Sequence, residues 1–439
     1  MVASIALLLL LPAEWAAVPW PDHAGIPRWN TTVPNHTLPW AGLPRLPPGA
    51  STVRSVYRAS PAVGTYNHGP MVVQHGGLII VNWYAGQTDE DAPGERVLFA
   101  SSADGGRTFT TPLPMFDRLS PTGPVGSAGV LVSNHEFGVI GDRLYGMAQA
   151  QMCTACPAGS VPGKSAGLVR RVHVENGGDG SASVVRLGPA VWRASTRTSV
   201  PSSAAAMAIP LLSEVVDQQL RADIETLMQQ TIIEVPVPAP TGVHLNERAV
   251  YQREFLSQLQ LVMLLRCTSI QYEWASICNL YLTHEQREQQ RWRQDSDVAV
   301  VTKVYDSPLQ QWRAQQIACN WSMAVPTTIP DSHTRTHVGA LPDGRTYLLG
   351  TQVSNTSLRH KRDPLTLSLS PDGLSFTQAF ALRYGCPERR YNGSHKDYGY
   401  AYPSAVVDRT AVDGGQLLIA YSVNKEDIEL MTVALSELQ

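Results

Sequence analysis

The stretch Ser102-Ala-Asp104-Gly-Gly106-Arg-Thr108-Phe109 decides the fold, because its side chains are those of a turn that closes on itself. Asp and Ser side chains can satisfy backbone N–H groups within such a turn, Gly supplies the unusual backbone angle, and the aromatic ring packs beneath. A shortened copy is Ser370-Pro-Asp372-Gly-Leu-Ser-Phe376. Each copy follows a strand-like run. Together they predict turns between outer strands of a repeated sheet, away from any central site.

Pairs of strand-like runs joined by Gly or Asp turns recur along the chain. They occur at Met71–Tyr84, Phe137–Met147, Val338–Leu349 and Ala405–Tyr421. Such turns are favoured where a short connection joins two antiparallel strands. Their repetition is typical of β-propeller blades, so we predict an all-β fold of this type, with blades in residues 51–200 and 297–439.

Residues 201–296 follow a different pattern. Apolar residues recur at helical spacing from Leu212 to Met228, and an apolar segment covers Val250–Leu265. The sequence Thr283-His-Glu-Gln286 resembles a helix-capping box. We therefore predict an inserted, mainly helical segment. The sequence leaves open whether it is a separate subdomain or takes the place of a blade.

The N-terminus and the composition favour a secreted protein. Residues 1–17 combine a short apolar run with small residues and are predicted to be a signal peptide, and residues 18–50 form an irregular arm rich in Pro and Trp. Six cysteines, an even number, fit an oxidising compartment. N-glycosylation sequons begin at Asn30, Asn35, Asn320, Asn355 and Asn392.

Several classes of function are disfavoured. The formal net charge of −3 offers no basic surface for nucleic acid, and no later stretch is apolar enough to span a membrane. Cys153-Thr-Ala-Cys156 is a redox or zinc half-site or else a small disulfide or plain thiols, and the absence of a second pair favours the latter. We expect no metal and no cofactor.

On these motifs the chain resembles the sialidase (neuraminidase) superfamily, in particular its BNR-repeat, sialidase-like branch, whose turn motif is the Asp-box. The resemblance covers about Ser51–Ala194 and Ala299–Gln439. It implies a six-bladed β-propeller and a glycoside hydrolase acting on terminal acidic sugars of glycans. In that family three arginines hold the substrate carboxylate, an aspartate is the acid/base, and a tyrosine activated by a glutamate is the nucleophile. Guanidinium groups suit a carboxylate, and a neutral tyrosine avoids repelling it.

Three residues match this pattern by position. Asp89 takes the place of the acid/base, and Tyr402 takes that of the nucleophile, although Pro403 interrupts the family's Tyr-Ser step. Arg362 is the counterpart of the third clamp arginine. The resemblance thus implies that Asp89 and Tyr402 are catalytic and that Arg362 binds substrate.

Other positions depart from the pattern. His68 lies where the family has its first arginine, Arg335 occupies about the position of the tyrosine-activating glutamate, and the second arginine falls near Thr351-Gln352. We expect His68 and Arg335 to bind the acidic substrate together with Arg362.

The alternative for each of these side chains is a purely structural role. The His and Tyr side chains would then be packed within the blades, and the charged side chains would be exposed to solvent on loops. The departures favour an alternative function, a non-catalytic glycan-binding or adhesion propeller. A third interpretation places the function in the helical segment as a partner-binding subdomain. The partner predicted for the first two is a glycan or glycoconjugate.

Overall fold

The computed structural model describes most of the chain, in segments separated by gaps. The described residues are 26–124, 126–155, 159–175, 183–194, 196–229, 245–255, 258–267, 272–280, 303–306, 311–314, 325–330, 332, 334–353, 362–411 and 414–438. The predicted signal peptide and the capping box at Thr283–Gln286 lie outside them.

Strands dominate the described chain. In order they are β1 (Arg28–Trp29), β2 (Ser51–Tyr57), β3 (Tyr66–His75), β4 (Leu78–Gly86), β5 (Arg96–Ser102), β6 (Leu113–Phe116), β7 (Gly129–Ile140), β8 (Arg143–Ala155), β9 (Gly159–Glu175), β10 (Val184–Leu187), β11 (Val191–Trp192), β12 (Leu245–Phe255) and β13 (Gln258–Cys267). They continue as β14 (Tyr272–Leu280), β15 (Lys303–Asp306), β16 (Gln311–Ala314), β17 (Val325–Pro330), β18 (His337–Ala340), β19 (Thr346–Gly350), β20 (Leu365–Ser370), β21 (Ser375–Phe376), β22 (Gln378–Arg383), β23 (Tyr400–Asp408), β24 (Gln416–Val423) and β25 (Asp427–Ala434). Two α-helices, α1 (Ala204–Met207) and α2 (Gln218–Gln229), lie between β11 and β12.

Among the described residues, the strands form five antiparallel sheets of four or five strands and two separate pairs. The first sheet is β3-β4-β5-β6, and the second is β7-β8-β9-β10 with β11 on β9. The third is β12-β13-β14-β17, the fourth is β18-β19-β20-β22, and the fifth is β23-β24-β25-β2. This confirms the predicted all-β, propeller-type fold. The number of six blades stays a prediction.

The leading strands of the sheets pack against one another. β3 contacts β7 on one side and β23 on the other, β23 contacts β18, and β18 contacts β12. The five sheets therefore follow one another as blades do. Strand β2, which precedes the first sheet, pairs with β25, the last described strand, so the fifth sheet joins distant parts of the sequence.

An apolar layer holds the first sheet against the fifth. Val81 and Trp83 of β4 are buried in one cluster with Leu418 of β24 and Ile428 of β25. Burying a side chain of this size contributes about 1.5–3 kcal/mol. The layer thus fixes β3 beside β23.

The turn at Ser102–Phe109 has the internal hydrogen bonds that the sequence predicts. The N–H groups of Arg107 and Thr108 both donate to Asp104 Oδ1 at 2.9 Å, and the Thr108 hydroxyl donates to Asp104 Oδ2 at 2.6 Å. These bonds hold the pKa of Asp104 well below its usual range. Gly106, at φ +84°, donates its N–H to Ser102 Oγ at 2.9 Å. The turn joins β5 to β6, at the outer edge of the first sheet.

Helix α2 partly confirms the predicted helical segment. Leu220, Ile224 and Leu227 are buried against Tyr145 and other apolar residues of the second sheet. The polar side of this contact is Asp223, which accepts bonds from Arg143 Nε (2.5 Å), Arg143 Nη2 (2.8 Å) and the Tyr145 hydroxyl. The helix starts at Gln218, later than the apolar spacing predicts. None of the described helices is long and apolar enough to cross a membrane.

The prediction of a helix in Val250–Leu265 is wrong, because the described residues of this range lie in β12 and β13. Val262 and Leu264 are both buried and pack against Val338 and Leu348 of the fourth sheet. Their spacing of two is that of one strand face. A short apolar run fits a buried strand as well as a helix, so composition alone did not separate the two.

We expect Asp223→Ala to lower the free energy of unfolding by about 3 kcal/mol, because it leaves a partly buried guanidinium without its partner. Glu225→Ala on the same helix is the matched control. Glu225 is about half exposed and pairs with the equally exposed Arg221, so its loss should be below about 0.5 kcal/mol. Urea unfolding of both variants measures the difference, and equal losses would contradict this role of Asp223.

Candidate active site

Three leading strands carry the same irregularity at the end where the predicted site residues lie. In each of them two residues face a single residue of the neighbouring strand, which defines a β-bulge. The extra pairs are Gly69-Pro70 in β3, Asn134-His135 in β7 and Tyr402-Pro403 in β23. Bulges redirect side chains and are common beside active sites. Here they surround His68, His135 and Tyr402.

His68 is fully buried between β3 and the fifth sheet. Its Nδ1 lies 2.7 Å from the Ser422 hydroxyl, whose Oγ donates to the Ala401 carbonyl at 3.2 Å. Within the part of the chain that the structure describes, His68 Nε2 has no hydrogen-bond partner. A buried polar atom without a partner costs free energy and calls for an explanation.

Tyr402 is held in an unusual conformation against His68. Its φ is +53°, in the left-handed region that a bulky residue rarely adopts, and such strain costs about 1–3 kcal/mol. The Tyr402 ring lies 4.1 Å from the imidazole of His68, between ring centroids. The left-handed Gly69 of the facing bulge leaves room for Tyr84, since a Cβ there would lie 2.4 Å from the Tyr84 ring. Strained residues of this kind cluster at active sites and ligand clamps.

Arg362 completes the group. Its Cζ lies 5.6 Å from the centre of the Tyr402 ring, and its Nη2 forms an ion pair of 2.6 Å with Asp397. The side chain is 7% exposed, yet Nε and Nη1 have no partner among the described residues. Guanidinium donors match carboxylate oxygens in geometry and charge. Arg362 therefore has donors available for an anionic ligand.

The surroundings of His68 are positively charged. Burial lowers the pKa of His68 well below 6.5, and the charges of Lys425, Arg362 and Arg335 lower it further. Burial, with the charge of Arg335, also lowers the pKa of His135 to about 3. Both imidazoles are therefore neutral at neutral pH, and the cations belong to Lys425, Arg335 and Arg362.

The comparisons with known proteins agree with this architecture. Residues 317–419 match the family of BNR repeat-like domains. A solved sialidase structure superposes with a TM-score of 0.62 at 18% identity, covering 93% of this chain and 35% of its own. The chain has the sialidase fold.

A further match gives the same fold. The sialidase of Trypanosoma rangeli in complex with sialic acid has a TM-score of 0.50 at 11% identity, with 90% of this chain and 60% of its own covered. The sialidase-fold chain thus spans about a third and three fifths of these two structures. No curated protein matches its sequence.

The structure of this sialidase-fold protein brings four of the five predicted site residues into one neighbourhood. His68, Tyr402 and Arg362 are linked by ring contacts, and Arg335 is close enough to lower the pKa of His68. The fifth, Asp89, forms hydrogen bonds with Ser394 and His395.

Asp89 is instead tied to the loop before β23. Its Oδ2 accepts bonds from the Ser394 N–H (2.5 Å) and hydroxyl (2.7 Å), and its Oδ1 accepts the N–H groups of His395 and Glu90 at 3.0 Å. Burial alone would raise the pKa of Asp89, but these bonds outweigh it and hold the pKa below the usual value. A general acid needs the opposite shift. In this arrangement the contacts of Asp89 favour a positioning role over the predicted acid/base role.

Sequence reasoning missed His135 and gave no role to Ser422, Asp397 or Lys425. Lys425 bridges the site, since its Nζ contacts Glu90 and lies 3.2 Å from Asp397. His135 is the second residue of the β7 bulge, as Pro70 is of the β3 bulge, and only the strand pairing reveals that position. The other three come from strand ends whose neighbours are fixed only by the fold.

We expect Asp89→Asn to destabilise the protein by about 1–3 kcal/mol at pH 7, because charge-assisted hydrogen bonds are lost. A carboxylate with a lowered folded pKa contributes stability above its unfolded pKa of about 3.9, and this contribution disappears as pH falls through the folded pKa. The difference in stability between the variant and the wild type should therefore become smaller below about pH 4. Thermal unfolding from pH 3 to 7 measures it.

Asp117→Asn is the control, since Asp117 is 71% exposed and its pairing with Arg96 is long, at 3.7 Å. The stability of this control variant should equal that of the wild type throughout the pH range. If the stability difference between Asp89→Asn and the wild type stays constant down to about pH 3, Asp89 is not ionised and hydrogen-bonded as described.

Proposed function

We propose that this protein is a secreted, sialidase-like glycoside hydrolase that acts on terminal acidic sugars of glycans. The proposal rests on Arg362, whose guanidinium group has hydrogen-bond donors available for a ligand. Two of its nitrogens lack partners among the residues that the structure describes, while its side chain is nine-tenths buried beside Tyr402. A sugar carboxylate bound there would lie next to the strained tyrosine.

The roles of the other residues follow from their positions. Arg335 adds a second positive charge for the carboxylate, and its charge also reaches His135 and His337. Tyr402 is the nucleophile that attacks the anomeric carbon. Neutral His68, in ring contact with Tyr402, accepts the phenolic proton in place of the family's glutamate.

The leaving oxygen of the glycosidic bond needs a proton as the bond breaks. Asp89 remains the candidate acid in this proposal, and that role requires Ser394 and His395 to release its carboxylate. Secretion is supported by the exposure of Asn30, Asn35 and Asn392, the described residues that begin sequons.

One observation favours a second candidate, a non-catalytic glycan-binding propeller. Both oxygens of Asp89 are engaged, and Arg335 lies where the family has a carboxylate. Such a site would hold an acidic sugar without turning it over.

The variants Tyr402→Phe and Arg362→Ala separate chemistry from binding. With chromogenic sialosides and uronosides, Tyr402→Phe should lower kcat by about 100-fold or more, since it removes only the reacting hydroxyl. Arg362→Ala should mainly raise KM, by about 10–150-fold, the value of a hydrogen-bonded charged contact of roughly 1.5–3 kcal/mol. Steady-state kinetics on the purified full chain gives both numbers.

The control is Arg186→Ala, which removes an arginine with 70% exposure from an ion pair in the second sheet. Its kinetics should equal those of the wild type. Saturable binding without turnover would establish the non-catalytic candidate. Absence of both binding and turnover on acidic glycans would overturn the proposal.

A further inference from the structure

Ser422 carries a buried hydroxyl that has no role in the proposed function. It lies in β24 opposite Ala401 of β23, immediately before the bulge that carries Tyr402. Its side chain is 0% exposed, and its Oγ is the partner of His68 Nδ1 at 2.7 Å.

The Ser422 hydroxyl can donate only one hydrogen bond. A serine hydroxyl has one hydrogen to donate and can accept others. Ser422 Oγ donates that hydrogen to the Ala401 carbonyl at 3.2 Å. The shorter contact, to His68 Nδ1, is then satisfied when Nδ1 carries the hydrogen and donates to Oγ.

The opposite tautomer of His68 is poorly accommodated. It would place a hydrogen on Nε2, which is buried and has no partner among the described residues. An unsatisfied buried donor costs about 1–3 kcal/mol. It would also take the Ser422 hydrogen away from Ala401.

We propose that Ser422 is a positioning residue that holds His68 in the Nδ1–H tautomer and leaves the Nε2 lone pair available to accept the phenolic proton of Tyr402. The catalytic consequence of this inference rests on the proposed function. The tautomer of His68 does not, because it is a property of the free protein.

The proton-transfer step balances. As the Tyr402 oxygen bonds to the anomeric carbon and the glycosidic bond breaks, the phenolic proton moves to His68 Nε2 and the leaving oxygen takes a proton from Asp89. The resulting imidazolium keeps its Nδ1–H bond to Ser422. When water later cleaves the sugar from Tyr402, water gives a proton to Asp89, and the proton on Nε2 returns to the phenolic oxygen.

Three aromatic rings and three cations face His68. The rings of Tyr66, Tyr84 and Tyr402 surround the imidazole, and the cations Lys425, Arg362 and Arg335 keep it neutral at rest. The family's glutamate would pair with these cations as a permanent anion. A neutral imidazole leaves them available for the substrate.

The tautomer can be measured by NMR of the full chain labelled with ¹⁵N-histidine. The chain has 12 histidines, and the signals missing from His68→Gln identify those of His68. We expect a neutral ring with hydrogen on Nδ1 from about pH 5 to 8, the range in which an ordinary histidine titrates.

Ser422→Ala removes the positioning oxygen, and Ser404→Ala is its matched control. Ser404 is a buried serine of the same sheet whose Oγ accepts the Val72 N–H at 3.3 Å instead. Ser422→Ala should shift His68 toward the Nε2–H tautomer and lower kcat at least about 10-fold with little change in KM. Ser404→Ala should leave the tautomer unchanged.

The outcomes separate this inference from the proposed function. A wild-type His68 with hydrogen on Nε2, or a charged one, overturns the inference whatever the activity. An Nδ1–H tautomer in a protein without turnover leaves the inference standing and overturns the hydrolase. Should Ser422→Ala fail to fold, the wild-type spectrum alone still decides.

Discussion

The pairing of β2 with β25 is the contact on which the rest of the site depends. β2 comes from near the N-terminus and leads into β3, whereas β25 follows β23 and β24 at the C-terminal end. Their hydrogen bonds place β3 beside β23, and the apolar layer of Trp83 and Leu418 holds them there. His68 thereby meets Ser422, a partner 354 positions away in the sequence.

Local backbone irregularity and burial then produce the chemistry. The bulges turn side chains away from regular sheet positions, and at Tyr402 the turn is made with a strained left-handed residue. Burial keeps His68 neutral, while Arg335, Arg362 and Lys425 supply positive charge around it. The same loss of water that makes His68 a poor cation strengthens every hydrogen bond that Arg362 can offer an anion.

The sequence predicted the features whose causes are local. The Ser102–Phe109 turn and the α2 spacing depend on neighbouring residues only. The family pattern located His68 and Tyr402 on leading strands, and Arg362 just before β20. It could not separate a strand from a helix in Val250–Leu265, because both bury apolar runs. Nor could it foresee the partner of Asp89, since Ser394 is 305 positions away.

The most direct test of the account is a crystal structure of the protein with a bound sialic acid or uronic acid glycoside. The account predicts the sugar carboxylate within hydrogen-bond distance of Arg362 Nε or Nη1, and the anomeric carbon facing the Tyr402 hydroxyl. A sugar bound elsewhere on the propeller, with Arg362 and Tyr402 untouched, would contradict it.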